Sequence, residues 1–139
     1  MRSKLDIQAI HYINQFERTV GVKANYCFNY NSTIIFIIPK ALLRKALGER
    51  ASNLSKLSKK LNKKVKIITN PSNKDDLEKF ISAVISPHKF KKISIDNNEL
   101  TIFSEITAKA ALIGKGKTKV KELSDILEKF FGIKKVMIK

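Results

Sequence analysis

Apolar side chains recur every three or four positions from Leu5 through Ala9, Ile13 and Phe16 to Val20, where Gly21 interrupts the run. That spacing predicts a helix with one buried face, stopped by a residue that adopts the left-handed turn without steric cost. Ser3 and Asp6 stand at capping-box spacing at its start. Two runs rich in aromatic and β-branched residues follow, Tyr26 to Tyr30 and Thr33 to Ile38. With the turn-forming Asn31-Ser32 between them and Pro39 after them, they predict a hairpin. A short helix from Lys40 to Leu47 then meets Gly48-Glu49-Arg50-Ala51, and a second helix sets Leu54, Leu57 and Leu61 on one face. Val65 and Ile67 alternate with lysines in a last strand, and Asn70-Pro71-Ser72-Asn73 reads as a linker.

After the linker the order begins again. Leu77, Phe80, Ile81, Val84 and Ile85 fit a helix ended by Ser86-Pro87. Strands from about Phe90 to Ile95 and Leu100 to Phe103 flank the turn Asp96-Asn97-Asn98. A short helix reaches Ile113, and Gly114-Lys115-Gly116-Lys117 leads into a longer helix carrying Val120, Leu123, Leu127 and Phe130 to Gly132. Val136 and Ile138 mark the closing strand. Gly48 and Gly114 occupy the same place in the two runs, 66 positions apart. The fold class is therefore α+β, in two tandem modules, 1–71 and 72–139, each a three-stranded sheet packed on helices.

Charge adds a partner to this picture. Of the 139 residues, 28 are Lys or Arg and 12 are Asp or Glu, a net charge of +16. A heat-adapted surface would add Glu alongside Lys, so this excess points to a polyanion instead. The first module carries the larger share, 14 basic against three acidic side chains up to residue 71. Lys40, Arg44, Lys56, Lys59, Lys60, Lys63 and Lys64 sit on or beside its helix pair.

Gly116-Lys117-Thr118 ends like a phosphate-binding P-loop, but that pattern needs a glycine five residues earlier and a strand before the loop. Ala111 stands there, inside helical spacing set by Ile106, Ala110 and Ile113. What remains is a glycine loop between two helices, whose second helix offers N–H groups and a partial positive charge to a phosphate. Lys115, Lys117 and Lys119 add full charges around it.

The element order and Ile113-Gly114-Lys115-Gly116 resemble the KH module, whose G-x-x-G loop clamps about four single-stranded nucleotides by the backbone. Two strands before the helix pair and one after it resemble the type II form. The whole chain resembles the archaeal NusA-like transcription termination factors, built from two such modules. The resemblance is carried by Phe16-Glu17-Arg18-Thr19-Val20-Gly21, Cys27, Phe36-Ile37-Ile38 and Phe131-Gly132-Ile133. It implies a non-enzymatic, cytoplasmic factor that holds single-stranded RNA and associates with RNA polymerase. The implied RNA-binding residues are Gly48, Glu49, Arg50, Ala51, Lys40 and Arg44 in the first module, with Ile113, Gly114, Lys115, Gly116, Lys117 and Lys119 in the second. Ala46, Leu47, Leu112 and Ile113 are the apolar residues that would line the base groove.

Both loops depart from the family, which typically closes each loop with glycine, where this chain has Ala51 and Lys117. Glu49 opposes a phosphate clamp unless Arg50 or Lys45 holds its carboxylate. A second function class therefore stands beside RNA binding: a protein-interaction or ribosome-associated scaffold whose loops have decayed. Tyr26, Phe28 and Tyr30 offer a further stacking face or simply pack against helices. Cys27 is alone, His11 and His88 are isolated, and nothing assembles a nucleophile, base and oxyanion site or a metal site. No cofactor is implied, no segment has the apolar length of a membrane span, and a monomer is expected.

Overall fold

The computed structural model describes residues 4–139, so the cap expected from Ser3 and Asp6 falls outside the described residues. It divides into two compact units, one ending at Asn70 and the other running from Pro71 to Lys139.

In the first unit α1 (Lys4–Val20) leads to the hairpin of β1 (Tyr26–Tyr30) and β2 (Thr33–Ile38). Asn31 and Ser32 both take positive φ, 50° and 58°. That is the two-residue turn whose twist matches antiparallel strands. A 3₁₀ turn at Lys40–Leu42, α2 (Leu43–Leu47), the loop and α3 (Ser52–Leu61) then carry the chain across to β3 (Lys64–Thr69). The sheet order is β1-β2-β3, with β2 antiparallel to β1 and parallel to β3. A parallel neighbour requires such a helical crossover, so the helix pair and the loop between them are a topological necessity.

Strand alternation sends Ile34, Phe36 and Ile38 into one core with Phe16, Val20 and Leu57. The rings of Phe16 and Phe36 stack at 4.5 Å between centroids. Cys27 packs beside them, and burial pushes its thiol up to about 12, so it stays protonated at neutral pH. On the other face of β3, opposite Ile35, desolvation lowers the pKa of Lys66.

The second unit repeats this plan with α4 (Leu77–Ile85), β4 (Lys92–Asp96), β5 (Glu99–Phe103), α5 (Ile106–Ile113), α6 (Thr118–Phe131) and β6 (Lys135–Ile138). Its sheet order is β4-β5-β6, again antiparallel and then parallel. Asn97 and Asn98 make the hairpin turn at φ 51° and 63°. Asn73 caps the start of the linker helix by accepting from the Asp75 amide at 2.8 Å, and Asp76 accepts from the Ser72 amide. The neighbouring carboxylates Asp75 and Asp76 are thus part of a helix start. In α4 five of nine residues are buried, and Phe80 meets the rings of Phe130 and Phe131 at 5.3 and 5.6 Å. The molecule is thus α+β, two three-stranded sheets each packed on helices as tandem KH-like modules.

Candidate nucleic-acid interface

Each unit places a four-residue loop between its paired helices, and the two loops share one backbone. Gly48 ends α2 at φ 72°, ψ −174°, and Gly114 ends α5 at φ 78°, ψ 166°. Both lie in a region that is essentially reserved for glycine. Each first glycine donates its N–H back into the preceding helix, Gly48 to the Arg44 carbonyl at 3.1 Å and Gly114 to the Ala110 carbonyl at 3.0 Å. Each accepts through its own carbonyl from the fourth loop residue, Ala51 at 3.3 Å and Lys117 at 3.2 Å. The helix preceding Gly114 is α5, so the P-loop arrangement, with a strand leading into the loop, is absent.

The third and fourth residues of both loops are left-handed. Arg50 and Ala51 stand at φ 54° and 56°, Gly116 and Lys117 at 64° and 61°. Glycine is absent from three of these four positions, and an L-residue there costs about 1–2 kcal/mol. Replacing Ala51 or Lys117 by glycine should therefore stabilise its unit, after the entropy of the freer unfolded chain is deducted, by roughly 0.5–1 kcal/mol. Urea denaturation of the single variants measures this gain. A loss of stability would show that the side chain supplies a contact worth more than the strain.

That backbone leaves the next helices open at their N-termini. The N-cap positions of α3 and α6 are Ala51 and Lys117, and neither gives a side-chain hydrogen bond to the first turn. Thr118, next in line, turns its hydroxyl to the Lys115 carbonyl. The first amide of each helix, Ser52 and Thr118, donates to the loop carbonyl of Glu49 and Lys115, which leaves the amides that follow in the first turn at the positive end of the helix dipole. Glu49, Arg50, Ala51, Lys115, Gly116 and Lys117 are all exposed around these ends; Lys40, at the start of the 3₁₀ turn before α2, and Arg44 on α2 are exposed as well. Among the described residues neither Arg50 nor Lys45 forms an ion pair with Glu49, so the carboxylate points its charge at solvent beside the first loop.

Other expected residues divide between surface and core. Ala46 is fully buried and Leu112 nearly so, which makes both structural, while Leu47 and Ile113 are half-buried beside the loops. Lys119 is also half-buried, and its stem lies over Gly114. Tyr30 is buried; Tyr26 and Phe28 are adjacent rings at 6.2 Å, so the three do not make an open stacking platform. One contributor escaped sequence reasoning. Asn53 donates its side-chain amide to the Ala46 carbonyl at 2.9 Å, tying the start of α3 to the end of α2 beneath Gly48. Only its position as the second residue of α3, five residues past Gly48, could have marked it.

No helix among the described residues is long and apolar enough to cross a membrane, and none of their His, Cys, Asp and Glu side chains form a group able to hold a metal. No protein-family model matches the chain. A probable transcription termination protein NusA from Methanococcus vannielii is 22% identical over 142 aligned residues, spanning 99% of this chain and 80% of that protein. The crystal structure of the protein APE1850 superposes with a TM-score of 0.64 at 27% identity, covering 96% of this chain and 99% of that one. In sequence along nearly its whole length, and in a fold of two KH-like modules, the chain is similar to the archaeal NusA-like proteins.

Proposed function

We propose that the chain is a single-stranded RNA-binding transcription factor, acting in elongation or termination, that grips the RNA backbone through its two helix, glycine loop, helix sites. One observation carries this reading: two loops 66 positions apart hold the same backbone and expose uncapped helix N-termini, on a chain of net charge +16. Exposed amides, a helix dipole and nearby ammonium groups are what a phosphate backbone needs, and they read no base. The name of the Methanococcus vannielii relative supports the link to transcription. In this reading the protein is a non-catalytic monomer, and RNA polymerase is the protein partner implied. The exposed Glu49 favours a second reading for the first loop, a protein-interaction scaffold that has lost its clamp.

A twelve-nucleotide pyrimidine-rich RNA, titrated by fluorescence anisotropy at two salt concentrations, tests the clamp. Lys115→Asp with Gly116→Asp removes three positive units from the second loop. It should fold, because Gly116 opens onto empty space and its left-handed φ suits aspartate. Lys134→Asp with Lys139→Ala removes the same charge elsewhere. The expected result is a loss of about tenfold or more for the loop variant, since each lost charge-assisted contact is worth roughly 1.5–3 kcal/mol, and a small change for the control. Equal weakening of both, with a steep salt slope, would mean counterion release without a clamp and would move the scaffold reading ahead.

A further inference from the structure

We infer that the first unit carries a second phosphate-binding surface, a lysine stripe along α3 that takes up the RNA strand after it leaves the Gly48 loop. The inference rests on the RNA-binding reading above and extends it to a surface distinct from the loop.

Lys59 and Lys60 stand one turn after Lys56 on α3, and Lys63 follows just past its end. The three on the helix face away from the side that turns Leu57 into the core and packs Leu61 against it. All four lysines are exposed, as is Lys64 at the start of β3. Past the helix, Asn62 takes φ 54°, and the Lys63 amide donates to the Ser58 carbonyl at 3.2 Å. The Ser58 hydroxyl in turn donates to the Lys63 carbonyl at 2.8 Å. This closed turn holds Lys63 and Lys64 at the end of the stripe.

No ion pair among the described residues neutralises it, and from Arg50 to Lys74 the sequence holds no Asp or Glu. Complementing the helix dipole accounts for Lys59 and Lys60 in the last turn but not for Lys56, nor for the missing carboxylates. The other unit shows that the helix pair does not itself require such a face. Stepping 66 positions from Lys56, Lys59, Lys60 and Lys63 reaches Glu122, Asp125, the buried Ile126 and Lys129 on α6. The same helix in the same fold is thus basic in one unit and mixed in the other.

The stripe starts at the loop and ends elsewhere. At 1.5 Å per residue, Leu61 at the end of α3 lies about 14 Å along the axis from Ser52, and Lys63 follows just beyond it. A loop clamp covers about four nucleotides, so a short RNA engages the loop alone and a longer one reaches the lysines.

Lys56→Gln, Lys59→Gln, Lys60→Gln and Lys63→Gln in one chain should therefore weaken a twelve-nucleotide RNA about tenfold or more. The dependence of log affinity on log salt should flatten by about 3, at roughly 0.7 per phosphate contact on a single strand. A four-nucleotide RNA, followed by NMR titration, should shift the amides around Gly48 as in wild type, which also shows that the first unit of the variant is folded. Lys74→Gln, Lys79→Gln, Lys134→Gln and Lys135→Gln, the same charge removed from the other unit, should change the longer RNA by less than about threefold, the residue of a general field effect. Equal losses in the two variants, an unchanged affinity in the stripe variant, or an equal loss on the short RNA would each overturn the stripe. Wild-type protein that binds neither RNA would instead overturn the RNA-binding reading from which the stripe follows.

Discussion

Gly114→Ala is expected to destabilise the second unit by about 3 kcal/mol. At φ 78°, ψ 166° the residue occupies backbone that costs roughly 1–3 kcal/mol for any other amino acid. A Cβ built there would sit 2.7 Å from Lys119 Cγ and 3.0 Å from the Lys119 backbone nitrogen. The lysine stem can rotate away. The nitrogen cannot, because it belongs to the first turn of α6, so the helix must shift and carry its open amides with it. Gly48→Ala should cost less. Its closest neighbour is the side-chain amide of Asn53 at 2.8 Å, which can swing aside by giving up its bond to the Ala46 carbonyl. Gly116→Ala meets nothing within 4 Å and adopts a conformation that Lys117 already tolerates, so its cost should stay below about 1 kcal/mol. Urea denaturation of the three variants gives the order Gly114, Gly48, Gly116 if close backbone approach governs the loops. Similar costs at Gly114 and Gly48, which share one backbone conformation, would mean that backbone strain alone matters.

Phe36→Ala should be the most damaging single change, at about 3–5 kcal/mol. Its ring is fully buried at the middle of β2, the central strand, and stacks on Phe16 from α1. Truncation leaves a cavity between sheet and helix and removes a ring pair worth roughly 0.5–1.5 kcal/mol beyond the area that it buries. A unit of this size is stable by roughly 4–10 kcal/mol, so half or more of its margin would go. Circular dichroism during urea unfolding should show the midpoint falling with the slope preserved. Ile106→Ala serves as the contrast, because that side chain is 92% exposed despite its hydrophobicity, and it should change stability by less than about 0.5 kcal/mol. Comparable losses at the two positions would contradict the placement of the core.

These contrasts mark the boundary between local and long-range information. Every helix and strand was legible in order, because apolar spacing and Asn, Gly and Pro punctuation act within a few residues. The hairpin turns at Asn31-Ser32 and Asn97-Asn98 and the helix stops at Gly21 and Gly132 are of that kind. The 66-residue correspondence of the loops was legible for the same reason. Small boundary differences, such as β4 spanning Lys92–Asp96, arise where the pairing partner sets the strand end.

Pairing and burial were not legible in this way. Apolar spacing put Ile106 with Ala110 and Ile113 on one stripe of α5, yet Ile106 is on the surface and Leu112, off that stripe, is in the core, because burial depends on what packs against the helix. The left-handed Ala51 and Lys117 run against their own preferences, and they are held there by the helix crossover that brings β3 and β6 parallel to their neighbours. The roles of Asn53 and of the Lys119 stem depend on the same crossover. By itself the sequence determined the order of elements, the duplicated module and the polyanion-seeking charge, all properties of short windows or of composition. Only the three-dimensional structure decided the loop backbone, which short hydrogen bonds such as Ala51 to Gly48 hold against residue preference, and the exposed face of α3, because Leu57 packs on residues far away in the chain.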